Sequence, residues 1–166
     1  MIKKLLNFIN FLLSNKISFK FSSPIPKNIV IFDGESSQDL EYLLDNYDYK
    51  VVENRKERIR EIYCSLRFTL KFFMNFISIS KKINLNTIYL YTLIESINPK
   101  FAITSIDNSL KFSLLAKLFE KKIKFIAIQN ASRLDFAINS YLYKKKKTQD
   151  NNKSFYIPNY FCFGKV

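Results

Sequence analysis

The sequence contains no histidine and only two glycines among its 166 residues. Without imidazole, a serine or cysteine nucleophile paired with histidine is excluded from this chain, so proton transfer would need a carboxylate, a lysine or a tyrosine. The two glycines, Gly34 and Gly164, are too few and too far apart to build a dinucleotide-binding fingerprint or a phosphate loop. We therefore expect neither a nucleotide site within these residues nor a bound cofactor.

Cysteine is equally scarce, because the only two, Cys64 and Cys162, lie far apart in the sequence. Two isolated thiols without histidine favour neither a zinc site nor a disulfide framework. We expect both thiols to be buried and reduced in an intracellular protein. No metal site is expected.

Acidic residues are under-represented: 14 Asp and Glu stand against 27 Lys and Arg, a formal net charge of +13. Such an excess usually indicates a polyanionic partner, either nucleic acid or an acidic membrane face. The abundance of Lys, Asn, Ile and Phe, however, is also what an A/T-rich genome imposes on any protein, and both origins of the charge stay open. The four lysines at 144–147 have no base-stacking aromatic platform beside them. We expect a solvated loop there and no nucleic-acid partner.

Residues 1–23 form the first predicted unit. Lys3 and Lys4 precede an apolar stretch, but Asn7 and Asn10 interrupt that stretch. It is too short for a membrane span, and no small-residue cleavage site follows it. We expect an amphipathic helix, which either packs on the domain or lies on a membrane surface.

Beyond Pro24 and Pro26, apolar β-branched runs alternate with helical patterns. Strands are predicted at 28–32, 49–52, 100–106, 123–128 and within 154–163, and helices at 36–44, 57–79, 86–97 and 109–119. In the longest helix we expect Ile62, Leu66, Leu70, Phe73 and Ile77 to face inwards. Residues 28–166 are predicted to form one Rossmann-like α/β domain, with a parallel sheet of about four or five strands flanked by helices.

Polar residues that follow strands form the candidate site, because ligands of open parallel sheets bind outside the carboxyl ends of the strands. Three clusters qualify: Asp33-Gly34-Glu35-Ser36, Thr104-Ser105 with Asp107-Asn108, and Gln129-Asn130 with Ser132 and Arg133. The cluster at 33–36 could equally be a turn followed by a helix cap. Asp107 could equally be the N-cap of the helix predicted at 109–119. Gln129 and Asn130 are not needed to end a strand. They offer donors and acceptors to a polyhydroxylated ligand, and Arg133 suits a phosphate or carboxylate.

Two of these clusters carry a resemblance to a known family. Pro-Lys-Phe-Ala-Ile-Thr-Ser-Ile-Asp-Asn at 99–108, then a helix, then Ile-Lys-Phe-Ile-Ala-Ile-Gln-Asn-Ala-Ser-Arg at 123–133, resembles the amino-terminal half of bacterial surface-carbohydrate biosynthesis transferases. Those proteins are similar to two-domain GT-B glycosyltransferases and to glycerophosphotransferases of cell-wall polymers. In them an Asp-Asn pair ends one strand, and Gln-Asn-Gly or Gln-His-Gly followed by Arg ends the next. Ala131 stands where the family usually has Gly.

The resemblance implies the acceptor-side domain of a glycosyltransferase-like protein of cell-surface polysaccharide (lipopolysaccharide or capsule) synthesis. Sugar hydroxyls would be bound by Asp33, Asp107, Asn108, Gln129 and Asn130, and a phosphate by Arg133. It implies no metal and assigns no catalytic residue.

The acceptor would be a sugar or a lipid-linked sugar. A nucleotide sugar would bind only with a carboxyl-terminal domain that these residues do not include, so we expect a truncated or split form that is inactive alone. The implied location is cytoplasmic, with contact to the inner face of the membrane allowed. One alternative stays open: a non-catalytic basic domain that docks on an acidic membrane surface or a partner protein.

Overall fold

The structure, a computed structural model, describes residues 18–32, 38–53, 59–79, 83–106, 109–128, 156 and 158–161. Its strands are β1 (Ser18–Lys20), β2 (Ile29–Phe32), β3 (Tyr49–Val51), β4 (Glu61–Tyr63), β5 (Phe101–Thr104), β6 (Lys124–Ile128) and β7 (Asn159–Phe161). Its helices are α1 (Gln38–Leu43), α2 (Leu66–Ile79), α3 (Leu85–Ile97) and α4 (Leu110–Leu118).

Five parallel strands form the main sheet, in the order β3-β2-β5-β6-β7. Counted in chain order these strands run 2-1-3-4-5, which is one of the two common doubly wound arrangements. In the register of the sheet, Phe32 lies beside Thr104, and Thr104 lies beside Ala127. The predicted α/β fold, with a parallel sheet of about five strands and flanking helices, is confirmed. The carboxyl ends of β2, β5 and β6 consequently adjoin one another.

Helices α3 and α4 cover one face of the sheet. Alternate strand residues point to that face, and there Phe32, Phe125 and Ala102 are buried with Leu115 of α4 and other side chains of one apolar cluster. The ring of Phe112 on α4 lies 5.1 Å from both Phe32 and Phe125, edge-on to Phe32 and steeply inclined to Phe125. The core therefore fixes α4 against the sheet.

The caps of α3 explain why its predicted position was nearly right. The side chain of Asn84 accepts a hydrogen bond from the backbone N–H of Thr87 at 2.8 Å and begins the helix. Asn98 takes the left-handed conformation, with φ at 53°, and its N–H donates to the carbonyl of Ile94. Pro99 follows and prevents the helix from continuing.

A second, two-stranded parallel sheet joins β1 to β4, and it corrects two predictions. The helix predicted over 57–79 begins only at Leu66, because 61–63 pair as a strand. Residues 18–20 form the partner strand and are not the end of the predicted amphipathic helix, of which residues 1–17 lie outside the described residues. Backbone bonds from Ser18 N to the Arg60 carbonyl (3.1 Å) and from Cys64 N to the Lys20 carbonyl (2.7 Å) show the cause. Pairing between distant segments overrides the local helical pattern.

The inner face of α2 is the opposite of the predicted one. Leu66, Leu70, Phe73 and Ile77 are exposed by 76, 56, 56 and 76%. The side that packs on α3 instead includes Phe68, which is 3% exposed and whose ring lies 5.4 Å from that of Tyr89. The helix carries two apolar stripes, and helical periodicity alone cannot decide which of them is buried.

Cys64, predicted to be buried, is exposed in the short segment between β4 and α2. Cys162 lies outside the described residues. Among the helices of the described residues, none combines the length and the apolar character that crossing a bilayer requires.

Candidate functional site

The topological switch point of the main sheet lies between β2 and β5. From β2 the chain passes to β3 on one side and later returns to β5 on the other side of β2. In open parallel sheets, ligands bind in the crevice outside the carboxyl ends of the two strands at such a point. The last residues of these strands, Phe32 and Thr104, are register partners. The candidate site is the carboxyl edge formed by β2, β5 and the next strand, β6.

The six side chains that the sequence predicts for this site lie outside the described residues: Asp33, Asp107, Asn108, Gln129, Asn130 and Arg133. The structure does describe the strand ends that precede them. Asp33 directly follows β2, Gln129 directly follows β6, and Asp107 comes shortly after β5. Because these three strands are neighbours, the three segments begin at one edge of the sheet.

The segment after β5 is held by hydrogen bonds from small side chains. The hydroxyl of Thr104, which is buried, accepts a bond from Ile106 N at 3.0 Å. Ser109 is the N-cap of α4, because its hydroxyl accepts from Phe112 N at 3.1 Å. The interpretation of Asp107 as that N-cap is therefore wrong. A hydroxyl two residues closer to the helix, that of Ser109, satisfies the free N–H group of Phe112, so the carboxylate of Asp107 is not needed to begin α4.

A buried ion pair that the sequence did not reveal also lies at the carboxyl edge. Glu53 follows β3, and Lys111 belongs to the first turn of α4; their side chains are 3% and 11% exposed, and the Lys111 ammonium contacts Glu53 Oε1. Since β2 lies between β3 and β5, the pair connects the two sides of the switch point. The ammonium of Lys111 is therefore directed at a buried carboxylate and not at solvent. The same rule that selected residues after β2, β5 and β6 could have selected Glu53 after β3.

A second charged cluster joins the two sheets and has a structural role. The Lys50 ammonium donates to the Glu61 carboxylate and, at 2.7 Å, to the Tyr63 hydroxyl, which in turn donates to Glu61 Oε2 at 2.8 Å. Partial burial works to raise the pKa of Glu61, but the hydrogen bonds from Lys50 and Tyr63 outweigh it and hold that pKa below the ordinary value. Burial, together with the hydrogen bond to Glu61, raises the pKa of Tyr63. The cluster thus keeps Glu61 ionised and Tyr63 protonated.

Within the described residues, no group of three or more Cys, Asp or Glu side chains is arranged to hold a metal ion. In the same part of the chain, every buried side-chain nitrogen and oxygen has a hydrogen-bond partner. The chemistry that the described edge offers is therefore hydrogen bonding from hydroxyl groups beside a neutralised ion pair.

Comparison of the chain with models of protein families, with curated proteins and with solved structures finds no match.

Proposed function

We propose that this chain is the acceptor-side domain of a glycosyltransferase-like protein of cell-surface polysaccharide synthesis. The resemblance at 99–108 and 123–133 motivates the proposal. The observation that supports it best is the order of the sheet: β2, β5 and β6 are adjacent and parallel, so the polar segments that follow them begin at one edge. A sugar presents several hydroxyls at once, and it needs donors and acceptors from more than one segment.

Each proposed ligand group has a defined task. Hydroxyls of the acceptor sugar are bound by three amides and two carboxylates: Asn108, Gln129, Asn130, Asp33 and Asp107. Arg133 binds a phosphate that links the sugar to a lipid, since a guanidinium matches two phosphate oxygens at once.

Lys111 is not assigned to the phosphate. Its ammonium is already bound to the buried carboxylate of Glu53 at the start of α4. An incoming anion would have to compete with that carboxylate in a desolvated position. The proposal therefore gives the anion-binding task to Arg133 alone.

In two-domain GT-B enzymes the cleft lies between the domains, and the second domain holds the nucleotide sugar. The 166 residues are accordingly proposed to bind the acceptor without transferring sugar, on the cytoplasmic side of the membrane, as half of a complete site. Sugar transfer from a nucleotide donor by these residues alone would contradict this part of the proposal.

Equilibrium binding of glucose 1-phosphate and of uncharged methyl glucoside tests the assignment of roles. The chain is expected to bind the phosphate ester at least about tenfold more tightly, because a hydrogen bond to a charged group contributes roughly 1.5–3 kcal/mol. Arg133→Gln should abolish this difference. Asn130→Ala should lower the affinity for both ligands by the same factor, since it removes only a contact to hydroxyls.

Lys124→Ala is the matched control, because Lys124 is exposed at the opposite, amino end of β6. It removes one positive charge, as Arg133→Gln does, and should leave both affinities unchanged. An equal loss of glucose 1-phosphate affinity in Lys124→Ala and Arg133→Gln would show that only the overall charge attracts the ligand, and would contradict the proposed site.

A further inference from the structure

The outward face of α2 is the most unusual surface of the described residues. Five large apolar side chains, Leu66, Leu70, Phe73, Met74 and Ile77, are exposed by 56–76% on one 14-residue helix. From Leu66 to Ile77 they extend over about 16 Å at 1.5 Å per residue. Soluble domains seldom expose a continuous apolar strip of this length without a partner for it. We call these five side chains the α2 face.

The α2 face is additional to the surface by which the helix is anchored. On the inner side, the ring of Phe68 lies 5.4 Å from that of Tyr89. The side chain of Asn75 donates to Thr92 Oγ1 at 3.1 Å and to Glu95 Oε2 at 2.9 Å. The helix is therefore already fixed on α3, and the α2 face is left for contact with something else.

The charged residues that α2 itself contributes are all basic. Helix α2 contains Arg67 and Lys71 and no acidic residue in its 14 positions. Glu95 of α3 contacts the helix from its inner side, at 3.4 Å from the Lys71 ammonium and 2.9 Å from the Asn75 amide. An apolar strip with cations beside it is the pattern of a helix that lies in the interface of an anionic membrane.

We infer that the α2 face docks this chain on the surface of a membrane that contains anionic lipid, with Leu70, Phe73 and Ile77 inserted among the acyl chains. A second copy of the chain is a poorer occupant, because a dimer would bring together two chains that each carry a net charge of +13. The inference depends on α2 and not on the sheet edge, so it stands or falls separately from the acceptor site.

Co-sedimentation with vesicles tests the inference on the full chain. Vesicles of phosphatidylglycerol and phosphatidylcholine in equal parts should bind the chain, and vesicles of phosphatidylcholine alone should bind it at least about tenfold more weakly. The triple variant Leu70→Gln, Phe73→Gln and Ile77→Gln should reduce binding to the mixed vesicles by at least about tenfold, since it removes the inserted apolar groups. Its thermal unfolding should match that of the parent chain, because the three side chains are exposed.

A matched control changes three other exposed apolar side chains: Tyr42→Gln, Leu43→Gln and Tyr47→Gln, at positions that are 62–83% exposed at the end of α1 and just beyond it. This control should bind the mixed vesicles like the parent chain. A second readout uses Cys64, which is exposed two residues before α2 begins. A polarity-sensitive fluorophore is attached to Cys64 in a Cys162→Ser background. Its emission maximum should shift to shorter wavelength when mixed vesicles are added.

Four results would overturn the inference. The first is unchanged vesicle binding by the α2 triple variant, and the second is equal binding to both kinds of vesicle. The third is loss of binding on deletion of residues 2–17 while the triple variant still binds, which would assign the membrane contact to the amino-terminal segment. The fourth is a dimer of the parent chain in sedimentation velocity that becomes a monomer in the α2 triple variant, because a second copy would then cover the α2 face.

Discussion

The hydroxyl of Tyr89 on α3 bonds to both ends of the backbone of β4, since it accepts from Tyr63 N at 2.8 Å and donates to the Glu61 carbonyl at 3.0 Å. One side chain packed against the main core thus holds the strand of the small sheet in place. Burial raises the pKa of Tyr89 above its ordinary value, so the hydroxyl stays protonated and can donate. This contact fixes the small sheet on α3, just before α2 begins.

Tyr89→Phe should lower the free energy of unfolding by about 1–2 kcal/mol, because two backbone groups lose a partner and no apolar volume is removed. Urea unfolding followed by circular dichroism measures the change. Tyr42→Phe removes a hydroxyl from a side chain that is 83% exposed, and it should leave the free energy of unfolding unchanged. An equal effect of the two substitutions would refute the bridging role of Tyr89.

Glu61→Gln should make the stability of the chain less dependent on acid pH. The pKa of Glu61 in the folded chain is below its ordinary value of 4.5. The stabilisation by its charge is therefore complete above that value and is lost as the pH falls through the lower, folded pKa. The variant should be less stable than the parent by about 1 kcal/mol at about pH 7, and this gap should narrow as the pH falls from about 7 to about 3.

The measurement is urea unfolding of both proteins at the two pH values. Asp45→Asn, at an exposed position in the turn after α1, controls for the loss of one negative charge. A stability gap between Glu61→Gln and the parent that stays constant from pH 7 to pH 3 would mean that the charge of Glu61 is not what stabilises the two-sheet contact.

Lys111→Met should destabilise the chain by roughly 3–5 kcal/mol, because it removes the ammonium group from beside the buried carboxylate of Glu53. The double variant Lys111→Met with Glu53→Leu should recover most of this loss, since both charges are then gone. Lys117→Met on the exposed side of the same helix should change the free energy of unfolding by less than about 0.5 kcal/mol. Thermal and urea unfolding of the four proteins test this. A double variant no more stable than Lys111→Met alone would contradict the explanation.

Ser109→Ala should lower the free energy of unfolding by about 1 kcal/mol, because the hydroxyl of Ser109 caps α4 by accepting from Phe112 N. Ser22→Ala, in an exposed segment between β1 and β2, is the control and should be neutral. Asp107→Ala should also be nearly neutral in unfolding experiments, because a different residue caps the helix. A larger loss of stability in Asp107→Ala than in Ser109→Ala would reverse the assignment of the cap.

Much of the main sheet could be predicted because its signals are local. The apolar β-branched runs that became β2, β5 and β6 are short, and turn residues or helix stops bound them. Asn98-Pro99 stops α3 as expected. The predictions that failed concern elements that depend on contacts between distant segments. The strand at 61–63 exists because Ser18–Lys20 pairs with it, and nothing near Ile62 indicates such a partner.

The prediction of which face of α2 is buried failed for a related reason. Its two apolar stripes have the same period, and the choice between them is made by Tyr89 and other residues of α3. For the candidate site, the rule for strand ends selected segments that begin at one edge of the sheet, because β2, β5 and β6 are adjacent and parallel. It was not applied to β3, so Glu53 and its distant partner Lys111 were overlooked.

The central claim is that a sugar binds at the carboxyl edge of β2, β5 and β6. Amide NMR of the full chain, titrated with glucose 1-phosphate, tests this claim most directly. We expect the largest shifts at Ser105, Ile106 and Ser109, which lie at that edge, and little change at Lys100 and Lys124, which lie at the amino ends of β5 and β6. Shifts confined to the amino ends, or to α2, would contradict the account.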